Sequence, residues 1–225
     1  MSKPHLTQKS FELLDELKAN NNRDWYLKHK DVFFEHVQLP FTEILEEASK
    51  RMTKSEYPME GGKETVFRIY RDVRFSKDKR PYKENISGLL TPSGTKDQAE
   101  GLIYVHLDTE GGFLASGFYQ LENVRLNQLR QHIINETKKF TSIVKKLTKA
   151  GYEFSDKEKL KRMPRGFEGH DSHQHAELLK MKSLVMQAKQ TKKVWLDGTI
   201  IDAVFKMNKA TTDLTLFGLS ALAQK

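Results

Sequence analysis

Apolar positions along the chain first recur at helical spacing, then alternate, then return to helical spacing. Phe11, Leu13, Leu14 and Leu17 form one stripe, which predicts a helix from about Gln8 to Ala19. Asn20-Asn21-Asn22 is a turn cluster, and Asn22 is the expected N-cap of a second helix that carries Trp25, read as a packing anchor. Phe33, Val37, Phe41, Ile44, Ala48 and Met52 keep helical spacing to about Lys54. Pro40 lies inside that run, so either one long helix kinks there or a second helix starts with Pro40 in its first turn. Tyr57-Pro58 and Gly61-Gly62 then link into a different pattern.

From Phe67 the period falls to two. Phe67, Ile69, Val73 and Phe75 alternate and predict a half-buried strand, with Arg68, Tyr70, Asp72 and Arg74 on its other face. Arg71 falls in the apolar phase, so it is expected to be mostly buried and bound to a carboxylate or to carbonyls. Pro81 closes a polar loop, and Glu84 to Leu90 is the next strand candidate. Ile103, Val105 and Leu107 alternate with Tyr104 and His106, and Phe113 to Tyr119 returns after the turn Asp108-Thr109-Glu110-Gly111-Gly112. These four segments predict an antiparallel meander. The polar loop from Thr91 to Glu100 is long enough to border a pocket.

Helical spacing resumes with Leu126, Leu129 and Ile133, then Phe140, Ile143, Val144 and Leu147, with a break near Asn135 to Thr137 and Gly151 as a C-terminal cap. Ser155-x-x-Glu158 predicts a capped short helix, Met181 to Ala188 a strand, and Trp195 to Asn208 and Thr212 to Leu222 two closing helices. Helices, then strands, then helices predict an α+β fold: an antiparallel sheet of about four to six strands with N- and C-terminal helices packed on it. One domain is expected over 1–225, with a helical part at 1–56, a sheet core at 62–120 and a helical part at 122–225.

Composition narrows the classes of function. The 225 residues include no cysteine, which excludes disulfides, thiolate catalysis and thiolate-bound zinc. No apolar run approaches the roughly eighteen residues of a membrane span, and the polar start does not read as a signal peptide, so no membrane partner and a cytoplasmic location are expected. The net charge of +8 favours phosphate-bearing partners or nucleic acid. The excess is uneven: residues 138–193 hold 15 basic against 6 acidic residues, and such runs are mostly solvated helix faces. No interleaving of aromatic and basic residues is visible there.

The densest chemistry lies between Phe67 and Lys83. Arg68, Arg71, Arg74, Lys79 and Lys83 supply cationic donors, and Tyr82 adds a hydroxyl, which suits a phosphorylated small molecule or a nucleotide. A second basic turn contributes Arg162 and Arg165, which would join the first if the fold brought them beside Arg74. The competing reading is a structural network in which Asp72 and Asp78 pair with the arginines. Those two aspartates are the only carboxylates inside the motif for acid–base work, and the arginines around them favour the ionised form. His170, His173 and His175 lack the spacing of a metal site on a helix, so no metal is expected. There is no Walker loop, Rossmann fingerprint or nucleophile elbow, and no cofactor is expected. A basic nucleic-acid binder, or a structural or partner-binding domain without a ligand, is the alternative to a small-molecule site.

The spacing Arg68-x-x-Arg71-Asp72-x-Arg74-Phe75-x-x-Asp78-Lys79-x-x-Tyr82 resembles the signature of an uncharacterised, mainly bacterial family, domain-of-unknown-function family 2461. Asn21-Asn22-x-x-Trp25, Leu160-Lys161-Arg162-x-Pro164-x-Gly166-Phe167 and Leu179-x-x-Lys182 resemble it too, so the similarity spans nearly the whole chain. Leu121 departs from the pattern, in which proline is expected after Gly117-x-Tyr119-x. The resemblance implies an α+β fold and supplies no reaction.

Overall fold

A computed structural model of the chain describes residues 3–97 and 100–223. Five antiparallel strands form one sheet in the order β1-β2-β3-β5-β4, from β1 (Ile86–Leu90), β2 (Glu100–Leu107), β3 (Phe113–Phe118), β4 (Glu153–Phe154) and β5 (Leu184–Lys189). The fold is α+β, as the order of patterns predicts. Two of the five strands come from the C-terminal part, so the sheet extends beyond 62–120.

The helices begin with α1 (Gln8–Ala19), at the bounds its stripe predicts. Asn22 caps α2 (Arg23–Phe33) by accepting the Trp25 amide at 3.0 Å. A π-helical turn at Phe34–Gln38 leads into α3 (Leu39–Met52), with Pro40 in the first turn of α3, where a missing amide donor costs nothing. Next come α4 (Asn123–Asn135), α5 (Thr137–Lys149), and the short α6 (Ala176–Leu179) and α7 (Lys192–Leu196). The last, α8 (Ile200–Leu222), is a single 23-residue helix where two were expected. Thr211 and Thr212, at the expected break, are buried and donate their hydroxyls to the carbonyls of Met207 and Asn208, one turn back. Thr211 also meets Ser116 of β3 at 3.0 Å, so a polar patch seats this helix on the sheet.

α8 is the spine of two apolar clusters. Its first half joins Val105 and Leu107, the helices α1 to α3, and Trp195, whose Nε1 donates to the Gly111 carbonyl at 2.6 Å. Its second half packs with Phe118, Leu184 and Met186 and with the stripes of α4 and α5. Gly218 lets α8 lie against the Phe118 ring, since a Cβ there would stand 2.1 Å from a ring carbon. Side chains alternate across the sheet, so Ile103, Val105, Leu107, Leu114, Ser116 and Met186 face α8. Leu89, Leu102, Tyr104, Phe113, Ala115, Val185 and Gln187 face the other way, and of these Leu102, Tyr104, Phe113 and Gln187 remain in part open to solvent.

Two expected elements take other forms. The segment 67–75 is not a strand of the sheet. It makes one single bridge, Tyr70 with Tyr82, just after another between Val66 and Gly88, and the Arg71 amide bonds the Pro81 carbonyl. Beyond that clip, Asp72 and Asp78 each accept the amide two residues on, from Arg74 and Arg80, and these two side-chain turns bend the chain into a loop. Phe75, an apolar position of the alternation, is 95% exposed. The short helix expected at Ser155 to Glu158 is absent as well. The chain there runs beside residues 180–185, through Ser155 to Val185 and Leu160 to Lys180 backbone bonds.

Candidate functional site

The arginine loop is held at its base by Asn21, whose side chain donates to the Tyr82 carbonyl and accepts the Tyr82 amide, both at 3.0 Å. Tyr82 is buried among Tyr26 and Tyr70, with ring centroids at 4.3 and 5.3 Å. Burial pushes the Tyr26 phenol up to about 12, and the neighbouring Tyr70 and Tyr82 hydroxyls add to the effect. Two of the resembling stretches thus meet physically, Asn21-Asn22 with the end of the arginine motif.

Within the loop the carboxylates engage the arginine forks. Arg74 grips Asp72 with Nε at 3.0 Å and Nη2 at 2.7 Å. Asp78 receives Arg80 through Nε and Nη2 and Arg71 through Nη1 at 2.6 Å, and Arg80 also bonds Glu84. Arg80, and after it Arg71, hold the Asp78 carboxyl far below the usual carboxylate range, and Arg74 lowers Asp72. Neither carboxylate is poised to accept a proton near neutrality. Lys79 Nζ donates to the Val73 carbonyl at 3.0 Å. Arg71 is half-buried and Arg74 exposed over most of its side chain.

Arg68 and Lys83 differ from this set. Lys83 lies 5.3 Å from the centre of the Phe67 ring, and burial, then nearby Arg68, push its ammonium down. Phe67 forms one end of a groove of about 490 Å³ across the open face of the sheet. Its rings form a chain: Phe67 to Tyr104 at 6.3 Å, Tyr104 to Phe113 at 5.7 Å, and His106 stacked on Phe113 at 4.6 Å. The Tyr104 hydroxyl meets His106 Nδ1 at 3.0 Å, and His106 Nε2 stands 3.6 Å from Asp108. Burial lowers His106 and raises Tyr104, so both are neutral at pH 7. Lys96 reaches the groove from the segment that follows β1, with Nζ on the Val66 carbonyl, and Lys157 from the opposite side, 5.8 Å from the Phe113 ring. Among the described residues no carboxylate pairs with Lys83, Lys96 or Lys157, and none lines the groove. Beyond Phe113 a second hollow carries a net negative lining, with Asp108, Glu110, Glu153 and Asp156 against Lys157 and Lys189.

Arg162 and Arg165 do not join Arg74. The arginine loop springs from the β1 edge of the sheet, whereas the chain carrying Arg165 follows β4 at the other edge. Arg165 lines a separate hollow with Lys182, and Arg162 is exposed outside its lining. His173 and His175 are tied to the Thr137 and Thr141 hydroxyls at 2.9 and 2.8 Å. Sequence reasoning missed Tyr104, His106, Lys96 and Lys157. The signal that reaches the first two is the alternation of β2, which puts both rings on the face opposite Val105.

A family model described as a conserved hypothetical protein, DUF2461, matches residues 9–217. No curated protein and no solved structure matches the chain. No described helix is long and apolar enough to cross a membrane.

Proposed function

The chain belongs to the DUF2461 family of conserved hypothetical proteins, and we propose that it binds a phosphorylated aromatic small molecule, a nucleotide by class, in the groove on the open face of its sheet. The observation that carries this reading is the contiguous rings of Phe67, Tyr104 and Phe113 beside three lysines without carboxylate partners. A base stacked on such rings is worth about 1–3 kcal/mol. A phosphate at Lys96 or Lys157 gains an ion pair that neither ammonium makes within the protein, where Lys96 meets a carbonyl and Lys157 a ring. The groove's size suits a small ligand. The basic motif contributes through Phe67, Arg68 and Lys83, while Arg71, Arg74 and Arg80 act in folding the loop.

Single-stranded nucleic acid is the second reading, favoured by rings and lysines sharing one sheet face. A strand continuing past Phe113 would run its phosphates over four carboxylates, Asp108, Glu110, Glu153 and Asp156, against two lysines, Lys157 and Lys189, which leaves a net repulsion. That limits the ligand to a short one. Calorimetric titration with adenosine monophosphate, adenosine and a short oligonucleotide separates the readings. The monophosphate should bind tighter than the nucleoside, and the oligonucleotide should add nothing. A steep salt dependence for the oligonucleotide, with a slope of about −0.7 per phosphate neutralised, would favour nucleic acid instead.

A further inference from the structure

Arg130 of α4 is 5% exposed, yet no carboxylate pairs with it among the described residues. Its Nε donates to the Leu179 carbonyl at 2.8 Å, Nη2 to the Met181 carbonyl at 2.9 Å and Nη1 to Asn127 Oδ1 at 2.8 Å. A guanidinium has five N–H groups, so one hydrogen on each terminal nitrogen is left over. Burial alone lowers its pKa, with no anion opposing the effect. A buried cation without a counter-charge is costly, and such a charge is ordinarily compensated by an anion.

Arg130 lines a hollow of about 860 Å³ between α4 and the 158–166 segment. Arg165 and Lys182 stand on its wall, both exposed and without ion pairs, against the carboxylate of Glu158 in the lining and that of Glu168, which accepts the lining Gly166 amide at 2.9 Å next to Arg165. Gln120 also lines it and has φ 47°, the only positive value at a described residue other than glycine. Its amide is fixed by the Ser183 hydroxyl at 3.0 Å. A strained backbone held in place at a cavity wall is a recurrent mark of ligand sites.

We propose that this hollow is a second ligand site, which takes the oxyanion head, carboxylate or phosphate, of a small molecule on Arg130, Arg165 and Lys182. The amides of Asn123 and Asn127 and the apolar Leu126 and Leu160 would receive the ligand's body. The hollow shares no lining residue with the sheet-face groove, so either site can fail without the other.

The test is an NMR titration of the full chain with inorganic phosphate and, separately, succinate, at ionic strength held constant with sodium chloride. The amide signals of Gln120, Asn127 and Arg165 should shift and saturate with one or both probes. Whichever probe saturates at lower concentration assigns the head group. Arg130 also holds two backbone carbonyls, so its removal threatens the fold. Arg165→Met and Lys182→Met replace exposed, unpaired side chains instead, and each should raise the half-saturating concentration at least about tenfold, one lost charge-assisted bond. Absence of saturation with both probes, or equal saturation in the Arg165→Met/Lys182→Met protein, overturns the proposal.

Discussion

The arginine loop and the sheet-face groove lie side by side, and both are rich in cations, but they differ in what those cations touch. In the loop, Arg71, Arg74 and Arg80 each hold Asp72, Asp78 or Glu84, and the arginines lower the pKa of Asp72 and Asp78. In the groove Lys96 meets a carbonyl and Lys157 a ring, and Lys83 lies over the Phe67 ring at its end. Paired charges shape the chain, and unpaired charges beside a cavity are free to meet a ligand. Charge density alone does not separate the two cases.

That contrast makes graded predictions. The largest effect belongs to the groove: Lys96→Met with Lys157→Met should cost about 3 kcal/mol of adenosine monophosphate affinity, near a hundredfold, measured by calorimetry. Asn21→Ala should come next. It leaves the amide and carbonyl of buried Tyr82 without partners, so chemical denaturation should show a loss of about 2 kcal/mol, while nucleotide affinity stays unchanged. Arg71→Ala should cost about 1 kcal/mol, short of the 3–5 kcal/mol of a buried pair, because its side chain is still 26% exposed.

A smaller effect follows from acid. His106, His132, His173 and His175 all have folded pKa values lowered from 6.5, chiefly by burial. The unfolded chain therefore binds more protons just below that value. Their contribution to stability is complete above pH 6.5 and is lost as pH falls through the folded values. Melting temperature should decline from pH 7.5 to 5.5, and His175→Gln, which keeps a hydrogen-bonding group for Thr141, should flatten the decline. The smallest effect is Arg74→Ala. Its pair with Asp72 is solvent-exposed, so neither melting temperature nor nucleotide affinity should move measurably. A large loss of affinity in this variant would erase the distinction between loop and groove.

The fold was largely legible where periodicity and caps agree, as in α1, in the Asn22 cap and in the alternation of β2. It was not legible where side chains bond their own backbone. Asp72 and Asp78 turn an alternating segment into a loop, and Thr211 and Thr212 let a polar stretch continue a buried helix. Of the candidate residues, Lys83 lies over Phe67 at the groove's end and Arg165 lines the second hollow, but spacing does not reveal who pairs with whom. Arg130 was hidden because arginine in an amphipathic helix reads as surface. Its position with Leu126 and Ile133 on one face of α4 is the signal that marks it as buried. Lys96 and Lys157 come from distant loops, and only the assembled sheet brings them to one groove.

The most direct test of the account is the titration of adenosine monophosphate into the wild-type chain and into Tyr104→Leu. Leucine keeps an apolar side chain but removes the stacking face and the hydroxyl shared with His106. The account predicts saturable one-to-one binding by the wild type and a loss of roughly tenfold or more in the variant, with melting in the absence of ligand little changed. Equal affinity in the two proteins, or no saturable binding by the wild type, would contradict it.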